Sequence, residues 1–194
     1  MPRGVAIPEL PEQLFQAVER VLDREGPSGL SGRAVTREAG VATGLLYNHF
    51  TDLDELLAMF IHDRGRAFIA HVEALSSRTG TGTVVGNLTE AAAAMAPGFT
   101  LIFNLVMSRP TLAQRLQAVA GHEVSMHDLE VAFAAYLEAE KREGRVAAGA
   151  DAPALSIALV GTVHHLLMTG RLGMMERVAA ALAGSLGAEH ERVG

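Results

Sequence analysis

The feature that most limits what this chain can fold into is a recurrence of apolar residues at three- and four-residue intervals. Leu10, Leu14, Val18, Val21 and Leu22 open the series, and Leu56, Leu57, Phe60, Ile61, Phe68, Ile69, Val72 and Leu75 continue it. Met126, Leu129, Phe133, Tyr136 and Leu137 form a third run. Residues so spaced share one face of an α-helix, whereas a half-buried strand needs strict alternation. Hydrophobic residues make up 49% of the chain but aromatics only 5%. The apolar share is mostly Ala, Leu and Val, a mixture that favours helix packing over strand pairing. The sequence therefore predicts an all-α fold.

Breakers divide the pattern. A first helix is expected over residues 8–25, ending at Gly26-Pro27. Ser31 is a suitable N-cap for a short helix reaching Glu38, Gly40 can take the left-handed turn, and another short helix follows over 43–50. A long helix is expected over 52–77. The stretch SSRTGTGT reads as a flexible loop. Helices over 84–95, 100–107 and 112–119 are separated by Pro97-Gly98 and Arg109-Pro110. A longer amphipathic helix starts near Met126 and ends near Gly144, and two apolar helices cover 154–169 and 174–186. The expected division is a helical N-terminal domain over 1–52 and a second helical domain over 53–194.

With no cysteine the chain has no thiolate metal site and no cysteine nucleophile, which agrees with a reducing compartment. Its N-terminus has no apolar run of signal-peptide length, so a cytoplasmic protein is expected. Residues 152–170 lack Asp, Glu, Lys and Arg, but Pro153, Gly161, His164 and His165 favour a buried helix over a membrane span. A net charge of −6 argues against indiscriminate nucleic-acid binding, since phosphate rewards a local excess of Lys and Arg.

On a helical wheel of residues 43–50, Leu46 and Phe50 fall together and must face a core. Gly44, Leu45 and Asn48 lie opposite, with Tyr47 and His49 on the flanks of that outward arc. Such a helix fits a DNA major groove, its middle toward base edges and its flanks toward phosphates. The preceding short helix offers Arg33 near an N-terminus that favours anions. Two helices joined by a short glycine turn make a helix-turn-helix, although such pairs also occur in proteins that bind no DNA.

The run GLSGRAVTREAGVATGLLYNHFTDLDELL resembles the DNA-binding unit of the tetracycline-repressor (TetR) family of bacterial regulators. The likeness covers roughly residues 9–60, with AGV, LYNHF and DELL at the family's spacing. It implies a homodimer whose three N-terminal helices form a helix-turn-helix unit that binds an inverted-repeat operator in double-stranded DNA. A divergent helical domain would bind a small-molecule effector that releases the operator. Carried over by position, Arg33, Thr43, Gly44 and Leu45 would approach base edges, while Ser31, Tyr47 and His49 would contact phosphates. Three departures stand out. Leu53 replaces a common Lys and lies between Asp52 and Asp54, Ala42 replaces a capping Ser, and Leu45 replaces a Thr. The first sixty residues hold five arginines against nine acids, a net of −4.

Other groupings are weaker. HEVSMH, residues 122–127, spaces its histidines five apart, and on a helix that turns the rings away from each other, so no metal site is expected. No phosphate loop, paired carboxylates or nucleophile-base grouping suggests an enzyme or a cofactor. Met95, Phe99, Phe103, Met107, Met126 and Phe133, with Asn104 and His165 as polar anchors, could line an adaptable apolar pocket for a mainly apolar effector. Ile157, Val160, Gly161, His164, Met168, Met175, Val178, Leu182 and Leu186 exceed what one chain is expected to cover and suggest a dimer interface. A ligand-responsive repressor leads. A helical small-molecule-binding protein that has lost operator binding is the alternative.

Overall fold

A computed structural model describes residues 9–119 and 126–187, leaving aside the side chains at positions 97, 117, 119 and 182–187. Every regular element among the described residues is helical. In chain order they are α1 (Leu10–Glu25), α2 (Gly32–Ala39), α3 (Thr43–His49), α4 (Leu53–Glu73), α5 (Val84–Ser108), α6 (Pro110–Val119), α7 (Met126–Arg142), α8 (Ala152–Met168) and α9 (Met175–Gly187). Short 3-10 turns occupy Pro27–Gly29, Ala74–Arg78 and Leu172–Met174. Pro8 and the segment from His122 to Ser125 lie outside the described residues.

The chain forms two compact units, one from residues 1–63 and 101–123 and the other from 64–100 and 124–194. The first unit thus contains α6 as well as the three N-terminal helices. Its core is Leu10, Leu14, Val18 and Val21 from α1, Val35 from α2, Leu46 and Phe50 around α3, Leu56, Leu57 and Phe60 from α4, and Leu105 and Leu112. The apolar spacing of α1 and the early part of α4 places these side chains on single faces, so burying them fixes how the helices meet.

The second unit packs Val72, Leu75, Leu88, Ala92, Leu129, Phe133, Tyr136, Leu159, Val163 and Leu166 together. Its polar interior departs from the expected flexible loop. Gly80 N–H donates to the buried Glu140 carboxylate at 3.2 Å, Asn87 Nδ2 donates to Thr81 O at 3.0 Å and to Tyr136 Oη at 2.9 Å, and Arg145 Nη2 donates to Gly82 O at 2.7 Å. Glu140 is fully buried and pairs with Arg145. A buried polar group that finds partners in a loop holds that loop in place, because releasing it would strand the group away from water. Burial, opposed by the Asn87 bond and reinforced by Glu140, pushes the Tyr136 phenol up to about 12.

The second difference lies in α5, expected as two helices and found as one run that bends by 45° at Pro97. Pro97 cannot donate a helical hydrogen bond, but one missing bond does not end a helix packed on its neighbours. Gly98 has a packing role, since a Cβ there would come within 2.7 Å of the Phe68 ring. No single described helix is long and apolar enough to cross a membrane; the two parts of α5 on either side of Pro97 pass that test only jointly, by length and composition.

Candidate nucleic-acid interface

The first unit builds its outward face from the scaffold of α1 and α2. Glu38 of α2 accepts from Arg20 Nε at 2.8 Å and from Arg24 Nη1 at 2.9 Å, and Gln13 Nε2 donates to Ala39 O at 2.8 Å. The two arginine hydrogen bonds, Arg20 first, hold the Glu38 carboxyl below the usual carboxylate range. Ser31 caps α2 by accepting from Ala34 N–H at 3.1 Å. Gly40 closes the helix in the left-handed conformation, φ 69°, where its N–H and that of Val41 reach back to the last turn. Other residues are strained there.

The turn delivers α3, with Leu46 fully buried and Phe50 nearly so. Thr36 Oγ1 lies 3.1 Å from Thr43 Oγ1 and donates to Gly32 O at 2.8 Å, so the two helices are joined through hydroxyls at the turn. Thr43, Gly44, Tyr47, Asn48 and His49 are exposed, as the wheel requires. Leu45 differs: it is half-buried and packs against the core, so only part of its side chain is available outward. Ala42 makes no side-chain cap, and Ala42 O accepts from Leu45 N–H at 2.9 Å.

Tyr47, 52% exposed, reaches from α3 to the start of α2. A Cβ at Gly32 would come within 2.7 Å of its hydroxyl. That glycine therefore lets the phenol settle beside the Ser31 cap and the free N–H groups of α2, a combination of donors suited to a phosphate. Arg33 and Arg37, one turn apart on α2, are both exposed and have no carboxylate partner among the described residues. Arg20 and Arg24, by contrast, are committed to Glu38. Arg37 was not among the residues singled out from the sequence; only its exposure marks it.

The start of α4 is elaborately tied. Asp52 Oδ1 accepts from Glu55 N–H at 2.8 Å. The Glu55 carboxylate accepts from the Thr51 hydroxyl and N–H, and these bonds keep its carboxyl below the usual range. Leu53 is half-buried against the core. Two arginines near the other end of the unit's sequence complete the arrangement. Arg109 Nη1 donates to Asp54 at 2.7 Å, its Nη2 donates to Leu30 O at 3.2 Å, and Arg115 pairs with Asp52. The sequence offered no signal for this, because 55 to 79 positions separate the partners of Arg109.

The expected ligand residues divide. Met95, Phe99, Met126 and Phe133 line a common apolar cavity with Leu129, Val160, Val163 and His164 in the second unit. Phe103, Asn104 and Met107 belong to the first unit. Asn104 is exposed, so its amide needs no buried partner, and Met107 is 66% exposed. His165 is also exposed, while the neighbouring His164 faces the cavity edge-on to Phe99 at 5.3 Å. A step of about 100° between neighbours on a helix makes that exchange natural. The cavity is about 10 Å³, roughly room for one water. A larger cleft of about 260 Å³ lies among Ile69, Glu73, Ser76, Asp128, Val131, Ala132 and Ala135.

The expected interface residues divide too. Ile157, Gly161 and Met168 are exposed on α8, and Val178 is half-buried. Val160 and Met175 are buried in their own unit and are not open to a partner. Leu182 and Leu186 lie in α9, with side chains outside the description. His127 Nδ1 is 3.3 Å from Glu130 on an exposed surface, and no group of three metal-ligating side chains occurs among the described residues.

Three N-terminal helices, a glycine turn and an exposed short helix define a helix-turn-helix protein. Residues 14–59 match the model of the bacterial regulatory proteins, tetR family. The chain is 42% identical over 65 residues to an uncharacterized HTH-type transcriptional regulator of Haemophilus influenzae, a match covering 34% of this chain and 35% of that protein. The aligned part thus spans about a third of the relative's length. Solved structures share the fold more broadly. A TetR transcription regulator from Haloarcula marismortui matches with a TM-score of 0.69 at 15% identity, over 93% of this chain and 99% of its own. The transcriptional regulator FadR from Bacillus subtilis, solved in complex with stearoyl-CoA, matches with a TM-score of 0.62 at 17% identity, over 89% and 97%.

Proposed function

We propose that the protein is a cytoplasmic transcriptional regulator, a repressor that binds an inverted-repeat operator as a homodimer and is released by a mainly apolar small molecule. The observation that carries this reading is the exposed face formed by Thr43, Gly44, Tyr47, Asn48 and His49 beside Arg33 and Arg37. A helix with apolar residues anchored behind and small or polar residues in front is suited to enter a major groove. The exposed α8 residues Ile157, Gly161 and Met168 support a second copy as the dimer partner, and two heads then call for two half-sites.

The effector reading is supported by the Met and Phe lining of the cavity beside His164. Its present volume requires that a ligand open it, which methionine side chains allow at low cost. A second location is favoured by the size of the cleft around Val131. The bound stearoyl-CoA of the B. subtilis regulator supports an apolar effector for this chain.

Selection of duplexes from a random-sequence library tests the reading. An inverted repeat is expected, bound by a dimer at micromolar concentration. A monomer by light scattering, or failure to enrich any sequence, would contradict it. Effector and operator must weaken each other by the same factor, about 5- to 150-fold for a coupling of 1–3 kcal/mol.

A further inference from the structure

The DNA-reading face raises an electrostatic problem that the first three helices do not solve. Leu53, between Asp52 and Asp54, offers no cation at the start of α4, and both carboxylates repel a nearby phosphate. Asp54 is also close to the entry of α2, because the Arg109 guanidinium bonds both Asp54 and the carbonyl of Leu30, the residue before the Ser31 cap. Ser31, Gly32 and the Tyr47 hydroxyl gather at that same helix end.

The solution comes from the segment around α6. Arg109 precedes α6 and Arg115 lies within it, and both belong to the same compact unit as the helix-turn-helix. Arg109 is 26% exposed and Asp54 23%, so their pair is partly shielded from water and salt. Thr111 Oγ1 donates to the second Asp54 oxygen at 2.8 Å. Arg115 and Asp52 are more open, 44% and 42%, but Asp52 is also the cap of α4 through Glu55 N–H.

We propose that Arg109 and Arg115 are positioning residues of the DNA-binding head. They neutralise Asp54 and Asp52, and Arg109 fixes the α2 entry through Leu30 O, so that an operator phosphate can approach the Ser31 and Tyr47 end. This inference rests on the DNA-binding reading above. It makes α6 part of the head: the reading unit is not residues 1–52 alone. Neither arginine touches DNA in this account.

The test uses a duplex selected with the wild-type protein and the variants Arg109→Gln/Arg115→Gln, alone and combined with Asp52→Asn/Asp54→Asn. Asparagine keeps the α4 cap while removing the charge. Removing the arginines should weaken binding about tenfold, the order expected for uncovering like charge near a phosphate. Adding the two asparagines should restore most of that loss. The salt slope should not change on removing Arg109 and Arg115, whereas Arg33→Gln should lower it by about 1. Undiminished binding by the arginine variant would overturn the inference, as would failure of the asparagines to rescue it. Should the double arginine variant not unfold cooperatively, Arg115→Gln with and without Asp52→Asn, at the more exposed pair, gives the same two outcomes. If the wild type enriches no duplex, the DNA-binding reading itself fails and this inference with it. A wild type that binds beside an unaffected variant overturns this inference alone.

Discussion

The two compact units use polar residues in opposite ways. In the first, apolar residues are pinned inward and the polar side chains of α3 face out, so Leu46 is fully buried while Asn48 and His49 are exposed. In the second, Asn87, Ser156 and Glu140 are buried, and a loop is held by the hydrogen bonds of Asn87 and Glu140. A recognition surface has to leave its donors free for a partner, whereas an interior has to satisfy every donor within itself. The contrast explains why the first unit presents a ready face while the second keeps Asn87 and Glu140 inside.

The contrast is broken most severely by substitutions that melt one unit. Arg145→Ala would strand the buried Glu140 carboxylate and should cost the second unit about 3 kcal/mol. Leu46→Ala, which empties a core position of the first unit, should cost about the same there. Hydrogen exchange resolved by residue should show each loss concentrated in its own unit. Equal loss of protection in both units after Arg145→Ala would mean that the polar network is not local.

A smaller effect should separate stability from recognition. Gly32→Ala adds a methyl that collides with the Tyr47 hydroxyl, and the exposed phenol can swing away. Stability should stay within about 1 kcal/mol of wild type, while affinity for the selected duplex falls several-fold. Unchanged affinity would mean that the position of Tyr47 is unimportant.

The smallest effect is in pH dependence, and its sign differs between the units. The Glu38 carboxyl is lowered in the folded state by Arg20 and Arg24. Its contribution is therefore present above the usual carboxylate range and lost as pH falls through the lowered value. Tyr136 is raised to about 12 from 10.0. Its contribution is present below pH 10 and lost as pH rises toward 12. Acid titration followed by exchange should loosen the α1–α2 contact in wild type more than in Glu38→Gln, and alkaline titration should loosen α7 more in wild type than in Tyr136→Phe.

The face of α3 was legible because helical phase alone decides which side chains point away from Leu46 and Phe50. The Ser31 cap and Gly40 turn were legible for the same reason, since each is settled within four residues. The cavity was only half legible. Met95, Phe99, Met126 and Phe133 converge as expected, but Asn104 and Met107 carry the right composition on the wrong part of α5, and composition says nothing of which unit a helix segment joins. Buried Val160 and Met175 show the same limit on α8 and α9, where an apolar helix has several neighbours to choose from. Arg109 and Arg115 were illegible because an ion pair across 55 or 63 positions leaves no local pattern. The loop at 79–83 looked flexible because, beside the nearby Asn87, its restraints come from Glu140 and Arg145, far along the chain.

The central claim is that the exposed face of α3, with Tyr47 settled over Gly32, reads DNA. The most direct measurement is the affinity of the Tyr47→Ala/His49→Ala variant for the selected duplex, with its fold confirmed by cooperative thermal unfolding. Both side chains are exposed, so the variant should fold as the wild type does. Its binding should be weaker by roughly tenfold or more across all sequences tested, as expected for loss of phosphate contacts. Wild-type affinity in that folded variant would contradict the account.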